Sequence, residues 1–490
     1  MPTPRDRNRV RLSFERLEDR AVPSASPAGF SGNFNPDRVL ITLNAPAVRE
    51  ARIVEALDRS ASSQQVSSLG MGVYSVDLAA GVSVTSAITV FSRIAGVASV
   101  QPDYHLPTAA IPNDPLFASQ WGLNNTGQTG GRIDADLDAP EAWQVARGTG
   151  QTIVAVIDSG IDYTHPDLAA NLWRNPREIA GNGRDDDGNG FVDDIFGVNF
   201  TNNTGDPRDR LGHGTHVAGI IGAVGNNGIG IAGVAWTTRI MGLKFIDDHG
   251  IGYTSNAIRA IDYAISNGAK IINASWGGGP ANAALEAALS RARAAGVIVV
   301  MSAGNAAANT DTTPFYPAGY ISRFDNIVTV AAANAFDALS SFSNYGRSTV
   351  TLAAPGERIL STEPGGRYGE RSGTSMAAPH VAGALAVVWD ANPSWSYQQV
   401  IARLKATVDP LGTLAGKTQT GGRMNLANLI GVPPPPTVPP PPASPPTVPP
   451  STLPPPTVSP PVSGNPSAGP RIIAAKYDGP SSAVFDRVRI

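Results

Sequence analysis

The chain has no cysteine among its 490 residues, which excludes disulfide bonds, thiolate metal sites and a cysteine nucleophile. Its formal net charge is only -3, so no basic excess argues for a nucleic-acid partner or an anionic membrane surface. No apolar run reaches the length of a transmembrane segment. An exported protein without disulfides must gain stability in other ways, and bound ions are one of them.

The first 35 residues are rich in arginine and then in small polar residues. No apolar segment follows, so this is not a standard secretory signal. Residues 14–24 resemble a short leader motif found on exported proteins of certain bacteria, and a disordered tail explains them equally well. We expect a leader over residues 1–35 and a secreted or envelope-associated protein.

Residues 36–105 have the pattern of a small α+β domain. The order of apolar patterns suggests a ferredoxin-like arrangement. The strands are predicted at 38–43, 71–78 and 98–100, and the helices at 48–61 and 87–94.

Residues 112–430 form the next predicted domain. Apolar strand patterns alternate there with helical ones, and unbroken apolar strands separated by helices indicate a parallel sheet covered by helices on both faces. The fold class is therefore α/β. The strands are predicted at 152–157, 270–273, 297–301 and 327–331, and the helices at 255–267 and 281–295.

Proline dominates residues 431–468, which cannot form a core and should be an extended spacer. A ligand for an SH3-type domain is the other interpretation. Residues 469–490 regain strand-like character, as at the start of a truncated immunoglobulin-like module or in an unstructured tail.

Four polar residues in the second domain lie at ends of predicted elements. Asp158 ends a strand, His213 begins a glycine-rich helix, Asn305 follows a strand and Ser375 precedes an apolar helix. Each has a structural explanation on its own, as a cap or a turn. Two histidines three residues apart, His213 and His216, also suggest a metal site, but no acidic third ligand has helical register.

Together the four residues match a known kind of chemistry. A serine hydroxyl needs a base to become a nucleophile. Histidine can take the proton and return it to the leaving group, and a carboxylate can hold the imidazole in the right tautomer. A hydrogen-bond donor must meet the oxyanion, and an asparagine amide is one.

The sequences Asp158-Ser159-Gly160, His213-Gly214-Thr215-His216, Ser302-Ala303-Gly304-Asn305 and Gly373-Thr374-Ser375-Met376-Ala377 resemble the signature motifs of the subtilisin-like serine peptidases. The resemblance implies a subtilisin-like parallel sheet. It makes Asp158 the orienting acid, His213 the general base, Ser375 the nucleophile and Asn305 the oxyanion donor.

The same resemblance assigns two further regions. Ser275-Trp276-Gly277 matches the segment that pairs with the substrate backbone, although Trp276 replaces a smaller residue common there. Residues 36–105 resemble the inhibitory propeptide, cut off by the enzyme itself between about residues 104 and 113. A retained binding module is the other interpretation.

Calcium is the expected cofactor, at two sites. The main site rests on the resemblance, which implies carboxylates from Asp114 and Asp167, the Asn227 side chain, and carbonyls of Gly225, Ile229 and Ile231. The second rests on alternating oxygen side chains in an acidic loop, as in the first half of an EF-hand, and a solvated loop is the alternative. Its predicted ligands are Asp185, Asp187, Asn189, Asp193, Asp194 and Asp209.

The sequence thus predicts a secreted, calcium-stabilised serine endopeptidase made as a self-processing zymogen, a monomer acting on proteins and peptides. Its own propeptide would be an intramolecular inhibitor. Two alternatives stay open. One is a binding or scaffold protein with a degenerate peptidase fold. The other is an esterase of the α/β-hydrolase type, although that class needs a Gly-x-Ser-x-Gly motif, and Ser375 is flanked differently.

Overall fold

The computed structural model describes residues 34–43, 47–70, 72–104, 110–431 and 487–488. Chain contacts divide it into two compact units, residues 1–107 and 108–490. Most of the predicted leader, of the proline-rich spacer and of the C-terminal segment lies outside the described residues.

The first unit has the element order β1-α1-β2-β3-α2-β4. Its antiparallel sheet has the order β2-β3-β1-β4, and the core includes Val39, Ile41 and Phe91. The sequence analysis missed β2, because its residues are mostly polar and partly exposed. The elements are β1 Phe34–Leu43, α1 Ala47–Asp58, β2 Ser63–Gly70, β3 Val73–Leu78, α2 Val84–Phe91 and β4 Val97–Tyr104.

The second unit continues with α3 Ala139–Ala142, β5 Ile153–Asp158, β6 Gly197–Asn199, α4 His213–Gly222, β7 Arg239–Lys244, β8 Gly252–Tyr253, α5 Thr254–Ser266, β9 Ile271–Ala274, α6 Ala283–Ala294, β10 Ile298–Ser302, β11 Ile327–Ala333, β12 Leu352–Pro355, β13 Ile359–Glu363, β14 Arg367–Arg371, α7 Thr374–Ala391, α8 Tyr397–Ala406, β15 Asp409–Pro410, β16 Gly422–Arg423, α9 Leu426–Ile430 and β17 Arg487–Val488.

A sheet of nine strands, counted over the described residues, organises the second unit. Its order is β15-β16-β12-β11-β10-β9-β5-β7-β6. All neighbours are parallel except β15 and β16. Because β9, β10 and β5 run in one direction, their carboxyl ends lie along one edge of the sheet, where loops carry functional groups.

Alternate residues of each central strand point to opposite faces of the sheet. Along β5, Val154 and Val156 pack in the core that includes α4 and α7, whereas Ala155 and Ile157 pack in the core that includes α5 and α6. Burial of one such valine or isoleucine stabilises the fold by about 1.5–3 kcal/mol. The predicted α/β class, a mainly parallel sheet with helices on both faces, is confirmed.

The strands β8 and β17 form a separate two-stranded antiparallel sheet. Among the described residues, no helix combines the length and the apolar character needed to cross a membrane.

Candidate active site

Asp158 and His213 meet where β5 ends and α4 begins. His213 Nδ1 lies 2.8 Å from Asp158 Oδ1. Asp158 is fully buried and His213 is 6% exposed. Since a carboxylate can only accept, the hydrogen of the neutral imidazole lies on Nδ1, and Nε2 keeps its lone pair. His213 is thus in the tautomer that a general base needs.

Asp209 determines where α4 begins. Its Oδ1 accepts hydrogen bonds from the backbone N–H groups of Leu211 and Gly212, and its Oδ2 accepts from the N–H and hydroxyl of Thr215. These bonds satisfy donors that a helix start leaves free. A carboxylate at this position is also stabilised by the positive end of the helix dipole. The cap therefore sets the position of His213.

Gly214 brings the start of α4 against the end of β5. A side chain at Gly214 would place its Cβ 2.1 Å from the carbonyl oxygen of Gly160. Ser159 Oγ accepts from the Gly214 N–H at 2.8 Å and donates to Asp209 Oδ1 at 3.0 Å. The Gly214 backbone can therefore approach the end of β5 closely, which brings His213 within hydrogen-bond distance of Asp158.

Ser375 lies in the first turn of α7 and is 6% exposed. Its hydroxyl donates to the carbonyl oxygen of Ser275 at 3.0 Å. Across the part of the chain that the structure describes, no hydrogen bond joins Ser375 to His213. The hydroxyl must leave the Ser275 carbonyl before it can donate to His213 Nε2.

Pro379 explains why the Ser275 hydroxyl donates to the backbone carbonyl of Ser375. Proline has no N–H, so Pro379 leaves the carbonyl oxygen of Ser375, four residues earlier in α7, without its helical donor. The Ser275 hydroxyl donates to that carbonyl at 2.9 Å. Asn273 Nδ2 donates in turn to the Ser275 hydroxyl at 2.9 Å. The nucleophile-bearing turn is thus attached to the end of β9.

Asn305 is held by Thr374, the residue before Ser375. Its Oδ1 accepts from the Thr374 N–H at 2.8 Å and from the Thr374 hydroxyl at 2.9 Å. That hydroxyl also accepts from the Gly304 N–H at 3.0 Å. With Oδ1 occupied, Nδ2 is the group that Asn305 can offer to a ligand. A Cβ on Gly373 would lie 3.4 Å from that nitrogen, so Nδ2 points to the start of α7.

His216 has a different environment from His213. Burial, followed by the charge of Arg371, lowers the pKa of His216 to about 3. Its Nε2 lies 3.1 Å from the carbonyl oxygen of Gly369 in β14. A neutral, buried imidazole bonded to a backbone carbonyl links α4 to the β13–β14 hairpin. This arrangement gives His216 a packing role.

Within the segment predicted to bind substrate, the side chains of Ser275 and Trp276 both point into the protein. Ser275 is fully buried and Trp276 is 3% exposed. The Trp276 indole donates to the Ile157 carbonyl at 2.8 Å and packs on Phe245 with ring centroids 4.7 Å apart. Trp276 is thus a core aromatic, and contact with a peptide at this residue would be through its backbone.

The predicted main calcium ligands converge on the loop 225–231. Asp114 accepts from the Asn227 N–H at 3.3 Å, while Asp167 accepts from Asn227 Nδ2 at 2.8 Å and from the Ile231 N–H at 2.9 Å. Burial raises the pKa of Asp114 and of Asp167, and the Asp114 charge raises the pKa of Asp167 further. Two buried carboxylates that repel each other are a site that a cation would stabilise.

The loop carbonyls fit the same interpretation. Within the described residues, the carbonyl oxygens of Gly225, Ile229 and Ile231 accept no hydrogen bond. Ile231 is buried, so its free carbonyl lacks the partner that buried carbonyls normally find, and the free carbonyls of Gly225 and Ile229 lie in the same loop. Together they suit a ligand that accepts lone pairs. Carboxylate, amide and carbonyl oxygens are the donor set of Ca²⁺.

In the acidic loop predicted as a second calcium site, some carboxylates lie together and others bind backbone N–H groups of the loop. Carboxylate oxygens of Glu178, Asp187 and Asp194 lie within 4.8 Å of one another. Asp185 accepts from the backbone N–H of Gly190 at 2.8 Å, and Asp193 from that of Gly181 at 2.7 Å. Asn189 Nδ2 donates to Asp194 Oδ2 at 2.8 Å.

Two corrections follow for this second site. Asp209 is not part of it, because both of its oxygens cap α4. Glu178 is part of the cluster, and the sequence analysis missed it because it precedes the alternating acidic motif. Its Oε2 is buried without a hydrogen-bond partner among the described residues.

Comparison with known proteins agrees with this geometry. A family model described as the subtilase family of peptidases matches residues 149–431, more than half of the chain. Thermitase of Thermoactinomyces vulgaris is 38% identical over 316 residues, which cover 64% of this chain and 97% of thermitase. A solved protease from Pseudoalteromonas arctica matches with a TM-score of 0.53 and 29% identity, over 65% of this chain and 98% of that one.

A subtilisin-like protease of Plasmodium berghei is 37% identical over 334 residues. This match covers 65% of the present chain but only 54% of the Plasmodium protein, so the chain spans about half the length of that relative. The family model, the thermitase match and the fold agree with the resemblance found in the sequence motifs. The chain therefore belongs to the subtilase family of peptidases.

Proposed function

We propose that the protein is a serine endopeptidase with Ser375 as its nucleophile. The observation that carries this proposal is the 2.8 Å contact between His213 Nδ1 and Asp158 Oδ1, beside a helix start that holds Ser375 and orients Asn305. Family membership supports the same reaction class.

In the first half of the reaction, Ser375 Oγ attacks the peptide carbonyl carbon while its proton passes to His213 Nε2. Asp158 stabilises the imidazolium that forms. The tetrahedral oxyanion accepts from Asn305 Nδ2 and from the Ser375 N–H, which is one of the backbone donors that the start of a helix leaves without an intrahelical partner. The C–N bond then breaks, and the amine leaves with the proton from His213.

In the second half, water replaces the amine. His213 Nε2 takes a proton from the water as its oxygen attacks the acyl carbon. The ester bond to Ser375 breaks, and the proton returns from His213 to Ser375 Oγ. The product is a peptide with a new carboxylate, and the enzyme returns to its starting state.

The first unit is the proposed propeptide, residues 36–105, which the enzyme would remove itself. Its six-element order and antiparallel sheet support a small independent domain. We include export in this proposal, on the basis of the leader-like residues 14–24.

Calcium is the proposed structural cofactor. Asp114, Asp167, Asn227 and the free carbonyls of the loop 225–231 would hold one ion, and Glu178, Asp187 and Asp194 a second. A bound ion would stabilise the native state in proportion to its affinity and would take no part in the reaction.

The test compares the full chain with its Ser375→Ala variant by intact mass and N-terminal sequencing. We expect the parent to lose the first unit and to hydrolyse peptides, whereas the variant keeps residues 36–105 and shows no turnover. A fluorophosphonate probe should label Ser375 in the parent alone. Equal turnover by both proteins would contradict the proposal. Ester hydrolysis without any peptide hydrolysis would favour the esterase alternative.

A further inference from the structure

With the peptide carbonyl held by Ser375 and Asn305, the residue on its amino side would place its side chain between two glycine segments. Gly277 follows β9 and Gly304 follows β10, and these strands are parallel neighbours with Ala274 opposite Met301. Ser375 is bonded to the first segment through Ser275. Asn305 directly follows the second. This step rests on the proposed function, because Ser375 and Asn305 define where the carbonyl lies.

Phe315 lies against the walls of that space. A Cβ built on Gly277 would be 2.4 Å from Phe315 Cε1 and 2.5 Å from Cζ. A Cβ built on Gly304 would be 3.2 Å from Cδ1 and from Cε1. One edge of the ring therefore touches the backbone of both segments at once. Gly277 therefore leaves the room that the ring occupies, and a side chain at Gly304 would crowd the ring from the other segment.

The chain around Phe315 is fixed to the same wall. The Gly278 N–H donates to the Tyr316 carbonyl at 3.0 Å, and Gly279 pairs with Tyr316. The Gly319 N–H donates to the Phe315 carbonyl at 2.7 Å. These bonds hold the backbone on either side of the ring. The ring itself is partly buried and packs on the core formed with α5 and α6.

Asn344 closes the space behind Gly304. A Cβ on Gly304 would lie 2.3 Å from Asn344 Nδ2, and this nitrogen donates to the Ala303 carbonyl at 2.8 Å. Its Oδ1 accepts from the N–H groups of Ala306 and Ala308. Since Asn344 is buried and both its amide oxygen and its amide nitrogen are bonded, it cannot give way to a large substrate side chain.

We propose that Phe315 fills the pocket for the substrate residue before the cleaved bond and restricts that residue to glycine, alanine or serine. An aromatic or long aliphatic side chain would have to displace a ring held between two backbones. Such a substrate can bind the enzyme through its other residues and still fail to bring the carbonyl of the cleaved bond to Ser375. The restriction should therefore lower kcat/KM for large residues.

The experiment uses two peptides that differ only in this residue, alanine or phenylalanine, with the processed enzyme. We expect the native enzyme to prefer the alanine peptide by about 100-fold in kcat/KM, a large difference on the scale of side-chain discrimination. Phe315→Ala should raise kcat/KM for the phenylalanine peptide at least about tenfold relative to kcat/KM for the alanine peptide. Phe315→Leu should lie between the two.

Phe336→Ala is the matched control, because Phe336 is an exposed phenylalanine of the same unit outside the site. It should leave both rates unchanged. The inference is overturned if the native enzyme cleaves the phenylalanine peptide as fast as the alanine peptide, or if both Phe315 variants keep the native ratio. Failure of the proposed function looks different: neither peptide is cleaved and Ser375 takes up no fluorophosphonate.

Discussion

At the scale of single residues, Ser275 compensates for a proline. Its hydroxyl donates to the Ser375 carbonyl that Pro379 leaves without a helical partner, and its own carbonyl accepts from the Ser375 hydroxyl. Ser275→Ala would leave the buried Ser375 carbonyl without a donor. An unsatisfied buried acceptor costs about 1–3 kcal/mol. The first turn of α7 should then lose its precise position.

We expect Ser275→Ala to lower the free energy of unfolding by about 1–3 kcal/mol, measured by denaturant unfolding in a Ser375→Ala background that prevents self-digestion. In the active enzyme the same change should lower kcat more than it raises KM, because Ser275 contacts the nucleophile and its side chain is fully buried.

Pro379→Ala supplies a matched partner for this variant. It restores an N–H at position 379, which can donate to the Ser375 carbonyl as in an ordinary helix. The double variant should therefore lose less stability than the sum of the single changes predicts. Strict additivity in this double-mutant cycle would contradict the proposed link between Pro379 and Ser275.

The motifs predicted which residues to examine, but not how they are supported. Asp158, His213, Asn305 and Ser375 each stand in a short local motif. The contacts of Asp209 with Thr215 and of Ser275 with Ser375 join segments whose meeting depends on the whole sheet. Asp209 illustrates the limit: its sequence context as an aspartate after an acidic loop suggested a calcium ligand, and the structure makes it a helix cap.

At the scale of elements, a cluster of aspartates connects the segment before α3 with the end of the domain. Carboxylate oxygens of Asp134, Asp136 and Asp138 lie within 4.8 Å of one another. Asn425 Nδ2, at the start of α9, donates to Asp138 Oδ2 at 2.5 Å and to Asp409 Oδ2 at 3.0 Å. Polar contacts between distant segments thus depend on the charge state of these carboxyls.

One buried arginine faces this cluster. Arg423 in β16 donates to Asp409 Oδ2 at 2.7 Å and forms an ion pair with Asp337. The exposed Arg132 lies 3.8 Å from Asp337. Five carboxyl groups therefore share two guanidinium groups, and the cluster carries excess negative charge when all of them are ionised.

This imbalance gives the cluster a pH dependence. Burial raises the pKa of Asp136 to about 6, and burial together with the charges of Asp136 and Asp134 raises the pKa of Asp138 to about 8. A carboxyl whose pKa is higher in the folded than in the unfolded state binds more protons when folded. Its contribution to stability is complete below about pH 4 and is lost as the pH rises to about 8.

We expect Asp138→Asn to stabilise the protein at alkaline pH. Asparagine tolerates the left-handed backbone of Asp138, with φ of 52°, and its oxygen can still accept from Asn425. One pKa unit corresponds to about 1.4 kcal/mol, so the variant should be at least about 1 kcal/mol more stable at pH 9. Its stability should also fall less between pH 4 and 8. Denaturant unfolding in the Ser375→Ala background measures both.

Asp311→Asn is the control of opposite sign. Burial opposes ionisation of Asp311, but hydrogen bonds from Thr349 and Ser348 outweigh it and lower the pKa of Asp311. That group contributes stability above its unfolded pKa, so its removal should destabilise the protein at neutral pH. The interpretation of the cluster is wrong if Asp138→Asn behaves in the same way.

The sequence patterns located helices and strands well where the apolar pattern is long and regular. The predicted strand at 297–301 corresponds to β10, and the helix at 255–267 corresponds to α5, each shifted by one residue. β12 was missed, because its sequence Leu-Ala-Ala-Pro has the composition of a helix start or a turn. Tertiary pairing with β11 decides its conformation.

At the scale of the whole molecule, the loop 225–231 joins distant parts of the second unit. Asp114 lies near the start of that unit, Asp167 follows β5, and Tyr368 in β14 donates to Asp167 Oδ2 at 3.2 Å. A bound cation would offset the repulsion between Asp114 and Asp167. Without disulfides, this is one place where a ligand can add stability to the entire unit.

We expect chelation by EGTA to lower the melting temperature of the full-length Ser375→Ala protein, which keeps its first unit and cannot digest itself. An ion at about 100 times its Kd contributes about 2.7 kcal/mol, and in a domain of this size 1 kcal/mol corresponds to roughly 2 °C. The shift should therefore be about 5 °C.

Asp167→Asn removes one carboxylate of the site at little cost in volume and should remove most of this EGTA-dependent shift, whereas Asp187→Asn in the acidic loop should leave most of it. If Asp167→Asn responds to EGTA as fully as its parent, the loop 225–231 does not hold the stabilising ion. If the Asp187→Asn variant alone loses the response, the ion lies with Glu178 and Asp194 instead.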